Sequence, residues 1–160
     1  TTLTSNQATV TFSSISSAYT DLKVIFNGSI TTADANTFVR MGNGSVDTGS
    51  NYSATFVESR ATTANSDKFT SQTSMQLDYY GSISTTNSSL LLDFMNYANT
   101  TTYKTVLSRY GNNTSTLYKG TGALVGLWRS TAAINIITFS LGSGNFATGS
   151  TFTLYGIAKA

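Results

Sequence analysis

The 160-residue chain has no cysteine, no histidine and no proline. Without cysteine it has no disulfide and no thiolate to act as a nucleophile or metal ligand. Without histidine it lacks the commonest metal ligand and the usual general base near neutral pH. Without proline, no segment reads as a rigid proline-rich linker. We therefore predict a protein that is not an enzyme and that requires no cofactor.

Charged residues are also scarce, at 10% of the chain against about 25% in an average soluble domain. The nine lysines and arginines are scattered singly, and the net charge is +2. Nucleic-acid binding needs a cluster of cations that neutralises several phosphates, so we predict no nucleic-acid partner. The longest apolar run, at 122–128, is far shorter than the roughly 20 residues of a membrane span. We predict no membrane association.

Apolar and polar residues alternate in many short segments, which is typical of half-buried strands. Clusters of Gly, Asn, Ser and Asp between them indicate turns. About ten such strands predict an all-β domain, either an antiparallel two-sheet sandwich or a barrel. We expect a short N-terminal arm at 1–7 and a single sandwich domain at 8–160. The predicted strands are 8–12, 21–27, 37–41, 52–58, 74–80, 89–97, 103–110, 123–129, 134–141 and 151–158.

The alternation also predicts which side chains face the core. Burial of one large apolar side chain stabilises a fold by about 1.5–3 kcal/mol, so a shared apolar side of a strand indicates an inner face. For Trp128 an alternative is a platform that stacks on a ligand. The predicted core residues are Val24, Phe26, Leu90, Leu92, Phe94, Leu124, Trp128, Phe152 and Leu154.

Few residues suggest a site. The loop "NGSVDTGSN" at 43–51 offers oxygen ligands but does not match EF-hand spacing. We interpret it as a turn in which Asn and Asp accept left-handed backbone angles, with weak calcium binding as the alternative. A glycosidase would need two of the seven acidic residues to meet in the fold. Tyrosine presents a large amphipathic face to partners, and we assign Tyr79 and Tyr80 to a candidate interface.

Two stretches, "LLLDFMNYANTTTYKTVLSRYG" at 90–111 and "GLWRSTAAINIITFSLGSGNFATGSTFTLYGI" at 126–157, resemble a module of tailed-bacteriophage virion proteins. Residues 12–26 and 49–53 resemble its first half, so the resemblance covers most of the chain. It implies a jelly-roll-like sandwich and a place in the virion, at the end of a tail fibre or on the head. Its most specific part combines Trp128, Asn145, Phe146, Gly149, Phe152, Tyr155 and Gly156.

Among the roles of that module, the short arm and the early end after the last strand favour a capsid decoration protein. It would lie on the outer surface of the head shell and be made in the cytoplasm of the bacterial host. The alternative is a receptor-binding tip or adhesin domain of a tail fibre. The implied partners are the major capsid protein and further copies of the chain, as a trimer. Free sheet edges also favour self-association, and we expect Thr2, Leu3 and Thr4 to add backbone hydrogen bonds to a neighbour's sheet edge.

Overall fold

A computed structural model describes residues 1–33, 35–60, 63–78, 83–112 and 120–158. These residues contain twelve strands and no helix, and every pairing between the strands is antiparallel. The predicted all-β, two-sheet sandwich is confirmed. The strands are β1 (Thr9–Phe12), β2 (Asp21–Gly28), β3 (Thr37–Asn43), β4 (Ser45–Val46), β5 (Tyr52–Arg60), β6 (Thr63–Gln72), β7 (Met75–Gln76), β8 (Ser88–Met95), β9 (Lys104–Asn112), β10 (Gly120–Trp128), β11 (Ile136–Leu141) and β12 (Thr151–Ile157).

The strands form two sheets of unequal size. The smaller sheet has the order β1-β11-β3, and the far side of β3 pairs with β7 at one end and β4 at the other. The larger sheet has the order β12-β2-β8-β9-β10-β5-β6. Successive strands change sheet from β1 to β2 and from β2 to β3, which is how a sandwich closes around one core.

The strand order is that of a jelly roll with four extra strands, which are β4, β12 and two strands of the meander β8-β9-β10. An eight-stranded jelly roll puts its first, eighth, third and sixth strands in one sheet and its second, seventh, fourth and fifth in the other. Here β1-β11-β3-β7 makes the first row. In the larger sheet, β2 takes the place of the second jelly-roll strand and the meander β8-β9-β10 takes the place of the seventh. The strands β5 and β6 take the places of the fourth and fifth. The C-terminal strand β12 extends this larger sheet beyond β2.

The buried side chains fill the space between the two sheets, and the predicted core is largely confirmed. Eight of the nine predicted residues are buried, and Leu154 is partly buried against the same cluster. Trp128 is only 2% exposed, so it is a core residue and not an open platform. Aromatic rings join the C-terminal strand to both sheets, since Phe152 lies 4.8 Å from Phe26 and 5.4 Å from Phe139 between ring centroids.

Three strands differ from the sequence-based prediction, two because they were missed and one because it is shorter. The ten-residue strand β6 was missed because it lies at a sheet edge with most side chains in solvent, so it lacks apolar alternation. Within it, Phe69 is partly buried and stacks on Phe56 at 5.5 Å. The second missed strand, β4, is only two residues long. Of the strand predicted at 74–80, the described residues show Met75–Gln76 as a strand, and positions 79 and 80 lie outside them.

Candidate interaction surface

The predicted N-terminal arm lies along the last strand of its own chain. Leu3 N donates to Ser150 O at 2.9 Å, and Gly149 N donates to Leu3 O at 2.8 Å. Thr2 forms an antiparallel bridge with Thr151. The Leu3 side chain is 6% exposed and belongs to the core. Thr2 and Leu3 thus cover part of the free edge of β12.

The other predicted interface residues have different settings. Thr4 follows this paired segment and is exposed, while Gln7 pairs again with the chain at Phe146. Tyr79 and Tyr80 lie outside the described residues. A contact of any of these residues with another chain stays a prediction.

The outer face of the seven-stranded sheet carries most of the large apolar side chains that are exposed. Among the described residues, strand register and alternation place six of them on this one face, and the two others, Tyr19 and Tyr103, lie in loops. We call the six residues the outer patch. They are Val57, Met95, Leu107, Val125, Tyr155 and Ile157.

The centre of the outer patch lies on β9, β10 and β5. Val125 is 54% exposed and directly opposite both Leu107 and Thr55 in the strand ladders. In the next row Val57, 56% exposed, is opposite Ala123. A groove of about 660 Å³ runs over these residues. Large and small side chains therefore alternate across a shallow apolar surface.

Charged groups border this centre. On β2 and β8, Lys23 Nζ lies 2.5 Å from Asp93 Oδ1, and Asp93 lies opposite Leu107 in the ladder. Arg109, two residues further along β9, is exposed and opposite Leu91 and Ala123. Within the described ranges Arg109 makes no ion pair. A cation without an acidic partner thus lies next to the apolar centre.

A hydrogen-bonded network organises the loop predicted as a turn at 43–51. Asp47 Oδ2 accepts from Trp128 Nε1 at 2.7 Å and from Asn51 Nδ2 at 2.8 Å, and Oδ1 accepts from Gly49 N at 2.7 Å. Burial alone would raise the pKa of Asp47, but these hydrogen bonds to the ionised carboxylate outweigh it and hold the pKa below its ordinary value.

The Asp47 network serves structure. Tyr52 stacks on Trp128 at 6.5 Å between ring centroids, and its hydroxyl lies 2.9 Å from Asp47 O and 3.0 Å from Met41 O. Burial raises the pKa of Tyr52 to about 12. Both carboxylate oxygens of Asp47 accept hydrogen bonds within the chain, which supports the interpretation of the loop as a structural turn. In the described part of the chain, no group of three or more acidic side chains lies close enough to hold a metal ion.

One buried cation lies on the inner face. The side chain of Lys104, at the start of β9, is 1% exposed, and its Nζ donates to Thr102 O at 2.7 Å and Thr131 O at 3.3 Å. Burial lowers the pKa of Lys104 because it disfavours the charged form. The two carbonyls belong to loops at one end of the sandwich, so the ammonium group joins those loops.

Sequence reasoning missed the outer patch, although a signal for it is visible. The run "GALVGLW" at 122–128 is apolar at consecutive positions, which indicates that both faces of the strand are apolar. Our interpretation assigned Leu124 and Trp128 to the core and left Val125 without a role. In the adjacent strand Leu107 follows the inward-facing Val106 and was missed for the same reason.

No protein-family model matches the sequence, and no curated protein matches it significantly. Among the described residues, no helix has the length and apolar character needed to span a membrane.

Proposed function

We propose that the chain is a structural protein of a tailed-bacteriophage virion and that it decorates the outer surface of the capsid. The observation that carries the proposal is the jelly-roll strand order, because a jelly roll is the architecture of many viral capsid domains. Fold alone does not determine function, so the sequence resemblance to the virion module is the second support. The strand order and the sequence resemblance both concern the residues of the sandwich.

The residues that carry the resemblance have structural roles in the fold. Trp128, Phe146 and Phe152 are buried between the sheets. Gly149 has a φ of +86°, a left-handed conformation that favours glycine. A Cβ at Gly156 would lie 2.3 Å from the ring of Tyr19. Because each of these positions constrains its residue type, the resemblance is one of core and turn positions and supports a shared sandwich.

The proposed partner is the major capsid protein, with further copies of the chain associating as a trimer on the shell. Only 10% of the residues are charged, and exposed ion pairs contribute about 0–1 kcal/mol each. Attachment would therefore depend on apolar burial and hydrogen bonds, and affinity would rise when linked subunits bind neighbouring sites. This mode of binding fits a permanent component of a particle assembled in the bacterial cytoplasm.

The test is the number of copies per virion. Purified particles are digested, and this chain is quantified by mass spectrometry against the major capsid protein of the same particles. A decoration protein gives on the order of hundreds of copies, because a closed symmetric shell repeats its sites. A count of a few to a few dozen places the chain on the tail and overturns the capsid assignment. Absence from purified virions overturns the virion role altogether.

A further inference from the structure

We propose that the outer face of the seven-stranded sheet is the contact surface between two copies of this chain, packed face to face around a two-fold axis. This inference does not depend on the virion role, and it concerns a sheet face of the free chain, whereas the trimer proposed on the shell would use sheet edges. It rests on the exposed apolar area of that face, on the alternation of large and small side chains, and on the position of one unpaired arginine.

The exposed apolar area of the outer patch is comparable to the apolar area that each partner buries in a stable dimer. With ordinary side-chain areas, the fractional exposures of the outer patch amount to roughly 500 Å² in total, summed on both sides of the Lys23–Asp93 ion pair, and a single contiguous apolar patch on a typical monomer covers about 300–600 Å². A standard interface buries about 800 Å² on each partner, of which about 56–65% is apolar. The outer patch thus supplies the apolar area of one half of a standard interface.

The shape of the face suits packing against itself. Two sheets that pack face to face lie about 10 Å apart, and their side chains interdigitate. One row across the strands contains Asp93, Leu107, Val125 and Thr55, and the next row contains Leu91, Arg109, Ala123 and Val57. A two-fold axis that crosses the strands between these rows exchanges the two rows. It places Val125 over the partner subunit's Ala123, a large side chain over a small one.

The same axis provides charge complementarity. It places Arg109 over the partner subunit's Leu107, next to the partner's Asp93. Asp93 already binds Lys23 of its own chain at 2.5 Å, so each carboxylate would lie between two cations from different subunits. No like charges come face to face in these two rows. In the single chain Arg109 has no acidic partner within the described ranges, and the pairing supplies one.

The first experiment measures mass against concentration by sedimentation equilibrium, for the full chain from about 1 to 100 µM. We expect a monomer–dimer equilibrium for the wild type. Val125→Lys puts a charge at the centre of the contact and is expected to weaken the dimer at least tenfold, because burying an ammonium group without a partner has a large desolvation cost. The matched control is Thr9→Lys, which adds the same charge at an exposed strand position of the smaller sheet and should leave the dimer unchanged.

A charge-reversal cycle tests the two-fold geometry. The swap Lys23→Asp with Asp93→Lys keeps the ion pair inside each chain but reverses its direction. This swap and Arg109→Glu should each weaken the dimer, and all three changes together should restore it, because the ion pair across the axis is rebuilt with opposite sign. If Val125→Lys lowers the thermal stability of the folded chain, Val125→Thr, which keeps the side-chain volume, is used as the test variant instead. A wild type that stays monomeric at about 100 µM overturns the proposal. So do an association that Val125→Lys leaves intact, a trimer mass, and a triple variant without rescue.

Discussion

The indole nitrogen of Trp128 donates a 2.7 Å hydrogen bond to the carboxylate of Asp47, which lies 81 residues earlier in the chain. Trp128 ends β10 in the larger sheet, and Asp47 follows β4 in the smaller one. The bond therefore ties the two sheets together at one end of the sandwich. It also satisfies the polar atom of a side chain that is otherwise buried, as buried indole groups require.

We expect Asp47→Ala to lower the free energy of unfolding by about 1–3 kcal/mol, because it leaves the buried N–H of Trp128 without an acceptor. Asp47→Asn is the matched control, since its amide oxygen still accepts from Trp128 but without charge assistance. The asparagine variant should lose less stability than the alanine variant. Urea denaturation at pH 7 measures both. Equal stability of the wild type and Asp47→Ala would show that the network contributes nothing.

The lowered pKa of Asp47 predicts a loss of stability in acid. Its folded pKa lies below the unfolded value of 3.8, so the unfolded chain binds the proton more readily than the folded one. The contribution of this carboxylate is present above pH 3.8 and is lost as the pH falls through the folded pKa. Denaturation of the wild type and Asp47→Asn from pH 7 to pH 2 should show their difference shrinking below about pH 4. A difference in stability that stays constant down to pH 2 would contradict the lowered pKa of Asp47.

Alternation was sufficient to predict the central strands. Leu90, Leu92 and Phe94 share the buried face of β8, and every second residue between them faces outward. A strand that buries one face repeats its apolar residues with a period of two. The edge strand β6 buries little on either face, so its sequence carries no such period. The same physical rule therefore explains both the confirmed strands and the missed one.

The candidate surface could not be predicted because it depends on pairings between distant strands. Val57 and Ala123 are neighbours only because β5 pairs with β10 in one particular register. A shift of one residue would turn the outward Leu107 toward the core. Turn residues and alternation predict strands one at a time, whereas strand order and register follow from packing of the whole sandwich. The hydrogen bond between Asp47 and Trp128 could not be predicted either, because only the packing of the whole sandwich brings these two residues together.

Close packing at the end of β2 gives a prediction about glycine. A Cβ at Gly28 would lie 2.4 Å from Cβ of Ser150. Ser150 is held in place because its Oγ accepts a hydrogen bond from Ser29 N and donates one to Ser29 O. We expect Gly28→Ala to cost about 1–3 kcal/mol through overpacking. The control is Gly111→Ala, whose Cβ would have no neighbour closer than 3.8 Å among the described residues. It should be neutral or stabilising by about 0.5–1 kcal/mol, as thermal unfolding would measure. Similar effects of the two changes would disprove the close contact.

The last prediction concerns the N-terminal segment. Leu3 is 6% exposed, so Leu3→Ala should lower the free energy of unfolding by about 2 kcal/mol, near the lower limit for a buried leucine, because an end segment can adjust to the cavity. The neighbouring Thr4→Ala removes an exposed side chain and should change stability by less than about 0.5 kcal/mol. Hydrogen exchange adds a local measurement, since the amides of Leu3 and Gly149 are hydrogen-bonded in the single chain. Slow exchange at these two amides, together with the loss of stability, means that the segment completes its own sandwich. Fast exchange and an unchanged Leu3→Ala variant would mean that the segment is free in solution, and Thr2 to Thr4 would then be available to pair with the sheet edge of another chain.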